Sequence, residues 1–517
     1  MKHRKLFLRG LFGAGLITAT AFLAVPSDAS AAAKPRIVLT VTNPSALVIR
    51  NEAGYTDLSD VAMFIDAPNA KFEIRAHKKY GGNVSYDLVE HIGATTKVRS
   101  LTTGLGAQNF DGLNNFFQAE ILDTDNHVKV NKALTFCPNS YWVARINASG
   151  PTTPTFPLEC NTWSHWTKGM VFGIDKGWST DALQYPDASM FDSLPDGDYT
   201  LRLTISRPWR EALQLPFATS RSQTRVHLLT EASGCDNGCA TTTRAKSAGP
   251  ALHTMSSTQG HKVLTAARNK NTAVDRATVP DLAALPAAGI QTSNEQGRDY
   301  LNFGATVWNA GASPIVVEGF RRSGEATMDA YQYFYKDGRP VSAQLVGEME
   351  YDRRESHRHW HFKDFAAYEL TDASKTTIER SGKEAFCLAP TDAIDLLGKG
   401  ADLRPFSTGL GTACGDVSSR WIREVLQAGW GDTYAQFRAG QSFDITDLPN
   451  GTYFVKTIAN PEQRLVETRS DNNVAYRKVL LGGEPGSRTA TVPPYRGMDT
   501  EGGSEGGAGR MMTLHRH

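Results

Sequence analysis

The 517-residue sequence has almost no surplus of charge: 55 lysines and arginines face 54 aspartates and glutamates, a formal net of +1. A balance so close to neutral, with basic residues spread along the chain, excludes the electrostatic footprint of a nucleic-acid binder. Long apolar runs are missing as well. The one apolar stretch, Leu11 to Val25, falls short of the roughly 20 residues that span a bilayer, so no membrane span is expected. Between a basic start (Lys2, Arg4, Lys5, Arg9) and the small residues Ala29-Ser30-Ala31, it reads as an export signal over residues 1–31. Cleavage after Ala31 removes four positive charges and one negative, Asp28, and takes the net charge to −2. A secreted or cell-envelope protein follows. Cysteine is scarce, with Cys137, Cys160, Cys235, Cys239, Cys387 and Cys414 making an even six. In an oxidising compartment this number points to disulfides before metal thiolates. Cys235 and Cys239 form a lone close pair, better suited to a small loop clip than to zinc.

What is present is enough apolar sequence, 40%, for a large core, and a length that suggests two or three domains. Short alternating runs broken by turn residues, such as "RIVLTVTN", "KFEIRAH" and "DYTLRLTIS", predict antiparallel strands. The expected fold is mainly β, with two β-sandwich-like domains: residues 35–239, a linker at 240–278, and residues 279–482. The Gly, Ser, Pro and Thr content after Gly482 predicts a disordered tail over 483–517. The two domains also share blocks in the same order. "FFQAEILDTD" ahead of "LTFCPNS" parallels "FKDFAAYELTDAS" ahead of "EAFCLAP", and "LPDGDYTLRLTIS" parallels "LPNGTYFVKTIAN". Between those blocks each carries a Cys and a Gly-Trp, Gly177-Trp178 and Gly429-Trp430. An internal duplication explains this order and predicts disulfides Cys137–Cys160 and Cys387–Cys414.

The most chemically suggestive stretch is "ESHRHWHFKDFAAYEL", with His357, His359 and His361 at alternate positions. On a strand, i, i+2 and i+4 share a face, whereas on a helix they fan apart. At a rise of roughly 3.3 Å per residue the outer pair are about 13 Å apart at the backbone. An imidazole reaches about 4–5 Å and a metal–nitrogen bond adds about 2 Å, so all three meet one ion only if the strand is curved. All-nitrogen ligation suits copper or zinc, and spacing does not choose between them.

These histidines, with "SGKEAFCL", "GWGDTYAQF", "FDITDLPNGTYFVKTIANP" and "VETRSDNNVAY" following in order, resemble the catalytic domain of the lysyl oxidases over about Val279 to Leu480. With its extra N-terminal half, the chain is similar to a secreted, bacterial-type lysyl oxidase-like protein. The resemblance implies a copper site on His357, His359 and His361. It implies a second cofactor built from the chain, lysine tyrosylquinone, from Lys383 in "SGKEAFC" and Tyr434 in "GDTY". The implied activity is oxidation of primary amines, peptidyl lysine or small amines, to aldehydes, with dioxygen as oxidant and release of ammonia and hydrogen peroxide. Asp432, two residues before Tyr434, is the candidate general base, the alternative being a carboxylate that only caps a turn. The family also has a calcium site, which Asp281 and the carbonyl of Leu282, with Glu467, Asn472 and Asn473, match in part. Arg469 stands where an aspartate is expected there, and Asp471 is the residue that could compensate.

Aligning Leu122 with Leu370 puts Asn109, Asp111 and Leu113 opposite the three histidines, Ala182 falls opposite Tyr434, and Ala133 opposite Lys383. The first half is therefore read as a non-catalytic copy, a docking or shielding module. Two other functions fit the residues alone: a zinc hydrolase using the three histidines and a water, and a non-catalytic extracellular metal-binding β-protein.

Overall fold

The structure, a computed structural model, describes residues 36–51, 56–92, 94–101, 106–160, 164–183, 188–231, 274–354, 358–382, 385–406, 409–438 and 440–501. The export signal, most of the linker, Cys235, Cys239, His357, Lys383 and residues 502–517 lie outside the described residues. No helix among the described residues is long and apolar enough to cross a membrane.

The chain is mainly β, and the alternating segments become half-buried strands for the expected reason. In Gly197–Ile205, Tyr199, Leu201, Leu203 and Ile205 face the core while their neighbours do not. Gly451–Ala459 repeats the pattern with Tyr453, Val455, Thr457 and Ala459. Each strand is entered through a Leu-Pro-Asx-Gly turn tied by its tyrosine: the Tyr199 hydroxyl donates to the Pro195 carbonyl at 2.8 Å, and Tyr453 to Pro449 at 2.7 Å. This is the corner that fixes strand entry in many β-sandwiches.

The two halves repeat one strand order across three sheets. In the first half Val38–Val41, Met63–Ala67, Trp178–Asp181 and Val143–Arg145 are neighbours in that order. Leu282–Ala284, Arg298–Asn309, Trp430–Tyr434 and Asp392–Ala393 do the same in the second. Gly169–Ile174, Phe72–His77, Ser85–Ile92 and Thr95–Leu101 correspond likewise to Trp421–Leu426, Ile315–Phe320, Met328–Lys336 and Arg339–Tyr351. The third sheets match over four strands each. Disulfides Cys137–Cys160 and Cys387–Cys414 form, one per half. Closing loops of this length constrains the unfolded chain by about 3–4 kcal/mol each in the chain-entropy treatment.

Backbone pairing fixes the correspondence residue by residue. The Gly177 N–H donates to Ala67 and the Gly429 N–H to Asn309, which equates Trp178 with Trp430 and Ala182 with Tyr434. The Ser206 N–H donates to Phe116 and the Asn460 N–H to Phe365, each donor lying seven residues past its corner tyrosine. Phe116 therefore matches Phe365, and Leu122 matches Thr371, one residue away from the alignment chosen on sequence. Counting back by equal steps, Phe110 and Gly112 fall opposite His359 and His361. The correction leaves no metal-binding side chain at those two positions.

The halves are joined as one compact unit. At the junction the first half adds backbone to the second: Lys168 N–H donates to Ile394 at 2.7 Å, and Leu396 N–H to Gly169 at 2.9 Å. The Thr167 hydroxyl reaches the Ala393 carbonyl at 2.8 Å. Ala393 and Leu396 belong to the first half's apolar core, and the Lys168 ammonium lies 4.6 Å over the Trp308 ring.

Residues 483–501, which composition reads as disordered, are ordered and packed. Thr489–Thr491 adds a strand to Val474–Gly482. Tyr495 meets Trp166 edge-on at 5.1 Å, Arg477 holds both Thr500 and Glu501, and Glu501 also accepts from the Ile290 N–H. A Cβ on Gly169 would meet Asp395 Oδ1 at 2.5 Å and the Leu397 side chain at 2.9 Å. Gly169→Val is therefore expected to cost about 1–3 kcal/mol through overpacking of the junction. Thermal unfolding of the variant checks this; an unchanged midpoint shows that the junction yields freely.

Candidate metal centre

Among the described residues of the histidine segment, Arg358 and His359 are irregular and a strand runs from Trp360 to Lys363. Trp360, fully buried, anchors that start: its N–H donates to the Cys414 carbonyl, its indole Nε1 to the Asp416 carbonyl at 2.7 Å, and the Arg321 guanidinium lies 5.2 Å from its ring. The residues on either side of it, His359 and His361, project to a common point. Their Nε2 atoms stand 2.9 Å apart, with the rings at 83° to one another. His361 is 1% exposed, and its Nδ1 lies 3.7 Å from Asp352 Oδ2, a carboxylate that Arg354 also grips. The bend at 358–359 supplies the curvature that a flat strand lacks. Two converging imidazole nitrogens, one backed by a carboxylate, form a donor set that fits copper or zinc.

Next to this strand runs Ala385–Phe386, with Phe362 opposite Phe386 and Lys363 opposite Ala385. Lys383 is outside the described residues, but the segment it leads into is therefore a direct neighbour of the histidine strand. The Phe386 ring packs edge-on against Tyr434 at 4.8 Å.

Tyr434 and Asp432 lie on Trp430–Tyr434, held between Arg298–Asn309 and Asp392–Ala393. Both are buried while Thr433 between them is less so, hence the two side chains share a face, as period two requires. Asp432 thus sits mid-strand, not in a turn. The Tyr434 hydroxyl donates to the Cys387 carbonyl at 3.4 Å. Desolvation pushes this hydroxyl well above its ordinary pKa, and the charges of Asp432 and Glu424 push the same way. Glu424 was not legible as a site residue. It is one acid in "WIREVL", and only the fold reveals that its carboxyl is enclosed beside Asp432, with burial raising its pKa and the Leu388 and Phe362 N–H groups opposing that rise.

The other predicted set gathers at a separate place. Asp281 Oδ2 accepts from Asn472 Nδ2 at 2.9 Å, and Oδ1 from the Thr468 hydroxyl and the Arg469 N–H. Glu467 accepts from Asn473 Nδ2 at 2.7 Å, from Asn460 Nδ2 at 2.6 Å and from the Leu282 N–H at 3.2 Å. Asn472 Oδ1 and Asn473 Oδ1 are buried without a hydrogen-bond partner. Two carboxylates and two orphaned amide oxygens fit a hard cation. Asp471 does not compensate for Arg469: it is exposed and its carboxylate is paired with that arginine.

Residues 333–487 match the family model described as lysyl oxidase. Lysyl oxidase homolog 2 of Gallus gallus is 26% identical over 161 residues, which is 31% of this chain and 18% of that protein. The Homo sapiens homolog 2 is 25% identical over 158 residues, 30% of this chain and 18% of the relative. Lysyl oxidase homolog 3A of Danio rerio is 27% identical over 130 residues, 25% and 15% of the two chains. The chain therefore spans under a fifth of the length of these relatives. The family match includes the histidines, Lys383 and Tyr434 but not Asp281, Leu282 or the first half.

If the oxygen cluster binds calcium, excess Ca²⁺ at about 100 times its Kd is expected to stabilise the fold by about 2.7 kcal/mol. In Glu467→Gln that increment is expected to vanish. Thermal melts with calcium and with chelator measure it; an equal rise in both proteins removes Glu467 from the site.

Proposed function

We propose that this chain, which belongs to the lysyl oxidase family through residues 333–487, is a secreted copper-dependent amine oxidase. It takes a primary amine, dioxygen and water to an aldehyde, ammonia and hydrogen peroxide. Its substrates are small amines or lysine side chains of extracellular or envelope proteins. The observation that carries the reading is the convergence of His359 and His361 at the start of a strand whose neighbour, through Phe386, packs on Tyr434.

In this reading His357, His359 and His361 hold copper, and Lys383 and Tyr434 are the precursors of a lysine tyrosylquinone. The cofactor supplies what no ordinary side chain offers, a carbonyl that condenses with an amine and accepts its electrons. The chain's own groups do the rest. Asp432, enclosed on the same face as Tyr434, holds the proton taken from the substrate carbon and stabilises positive charge beside it. Phe386 and the Cys387 carbonyl orient the Tyr434 ring, and burial excludes competing water. The oxygen cluster around Asp281 and Glu467 holds calcium as a structural ion away from the chemistry. The first half is a non-catalytic copy produced by internal duplication, a reading supported by its repeated strand order.

Copper-loaded protein is expected to release peroxide from primary amines, and Tyr434→Phe to lose that activity and any quinone colour while keeping its copper. Peroxide release retained by the variant removes Tyr434 from the role. Zinc occupancy, with neither quinone absorbance nor peroxide from the wild type, replaces the oxidase by a zinc hydrolase.

A further inference from the structure

The sheet that carries the histidine strand is open, with Ala385–Phe386 and Trp360–Lys363 at one edge and Trp421–Leu426 at the other. Its two edges come together without a continuous backbone ladder between them. Part of the seam is closed by the 412–414 segment: Ala413 pairs with Arg423, the Cys414 carbonyl accepts from Trp360 N–H, and Cys414 is joined to Cys387. Two side chains hold the remainder: the Thr412 hydroxyl donates to the Leu388 carbonyl and accepts from the Val425 N–H, and a carboxylate reaches both amides beyond it. Glu424, mid-way along Trp421–Leu426 and 0% exposed, accepts the Phe362 N–H on Oε1 and the Leu388 N–H on Oε2, each at 3.1 Å.

Those two amides are not arbitrary ones. The Phe362 N–H belongs to the peptide that follows His361. The Leu388 N–H belongs to the same peptide group as the Cys387 carbonyl, which receives the Tyr434 hydroxyl. A single carboxylate therefore connects the backbone of a converging histidine to the peptide on which the tyrosine rests. Both oxygens are used, one on each amide.

We propose that Glu424 is a positioning residue that sets the spacing between the metal-binding histidines and Tyr434, and that quinone formation depends on it. This rests on the oxidase reading above. An isosteric amide at 424 presents one oxygen and one NH₂ group, so one of the two backbone N–H groups faces a donor and is left unsatisfied in the interior. The local structure relaxes by moving one edge of the seam, and the histidine and tyrosine sides lose their common reference.

The test compares the wild type with Glu424→Gln and Glu424→Asp, the latter keeping the carboxyl group but one methylene too short to span both amides. The readouts are copper content, quinone per copper from a phenylhydrazine adduct, the copper(II) EPR spectrum recorded before exposure to oxygen, and the thermal midpoint. Copper content is expected to stay near that of the wild type, and quinone per copper to fall roughly ten- to hundredfold, the scale imposed by displacing reacting groups by about 1 Å. The EPR spectrum is expected to change with it. Wild-type quinone yield and an unchanged EPR spectrum in a folded variant overturn the proposal. If the wild type itself forms no quinone, the oxidase reading fails, and the EPR comparison still decides whether Glu424 positions the histidines. If Glu424→Gln does not fold, Glu424→Asp carries the same comparison.

Discussion

The rest of the candidate site depends on how strand Trp430–Tyr434 is held. It is bracketed by Arg298–Asn309 on one side and Asp392–Ala393 on the other, so its face is not free to turn. It begins at Gly429, whose φ of +85° favours glycine, and where a Cβ would meet the Asp395 carbonyl oxygen at 2.7 Å. The turn is reproduced at Gly177 in the first half, with φ +77°. Once the strand is fixed, period two points Asp432 and Tyr434 inward together, and the Phe386 ring and Cys387 carbonyl complete the tyrosine's surroundings.

The same constraint gives the first half a physical connection to the site. Asp392–Ala393 is the neighbour of the tyrosine strand, and the residues just after it receive the backbone of Lys168 and Gly169. The first half therefore braces the segment that braces Tyr434. The C-terminal segment strengthens this junction, since Tyr495 packs against Trp166 and Tyr80 of the first half while Glu501 is held by Arg477 of the second.

Much of this was legible in the sequence because it rests on local patterns. Alternation predicts the strands, the Leu-Pro-Asx-Gly-x-Tyr turns mark their starts, and the order of cysteines predicts both described disulfides. The histidine spacing locates the metal candidates but not the bend at 358–359 that lets two of them converge. What was not legible depends on long-range packing. The tail looks disordered by composition because a few residues, Tyr495, Thr500 and Glu501, make its contacts. The register error between the halves arises where "FFQAEIL" offers two adjacent phenylalanines and the strand bulges between Leu113 and Phe117. Glu424 carries no sequence signal, since a lone acid in a strand is ordinarily solvated and only closure of the sheet encloses it.

The central claim is that Tyr434 and Lys383 become one cofactor under the influence of copper on the histidines. Peptide mass spectrometry of protein loaded with copper in air tests it most directly. The account predicts a covalently linked pair of peptides, one containing Lys383 and the other Tyr434, absent from protein kept free of copper. Quantitative recovery of both peptides unlinked and unmodified after copper loading would contradict it.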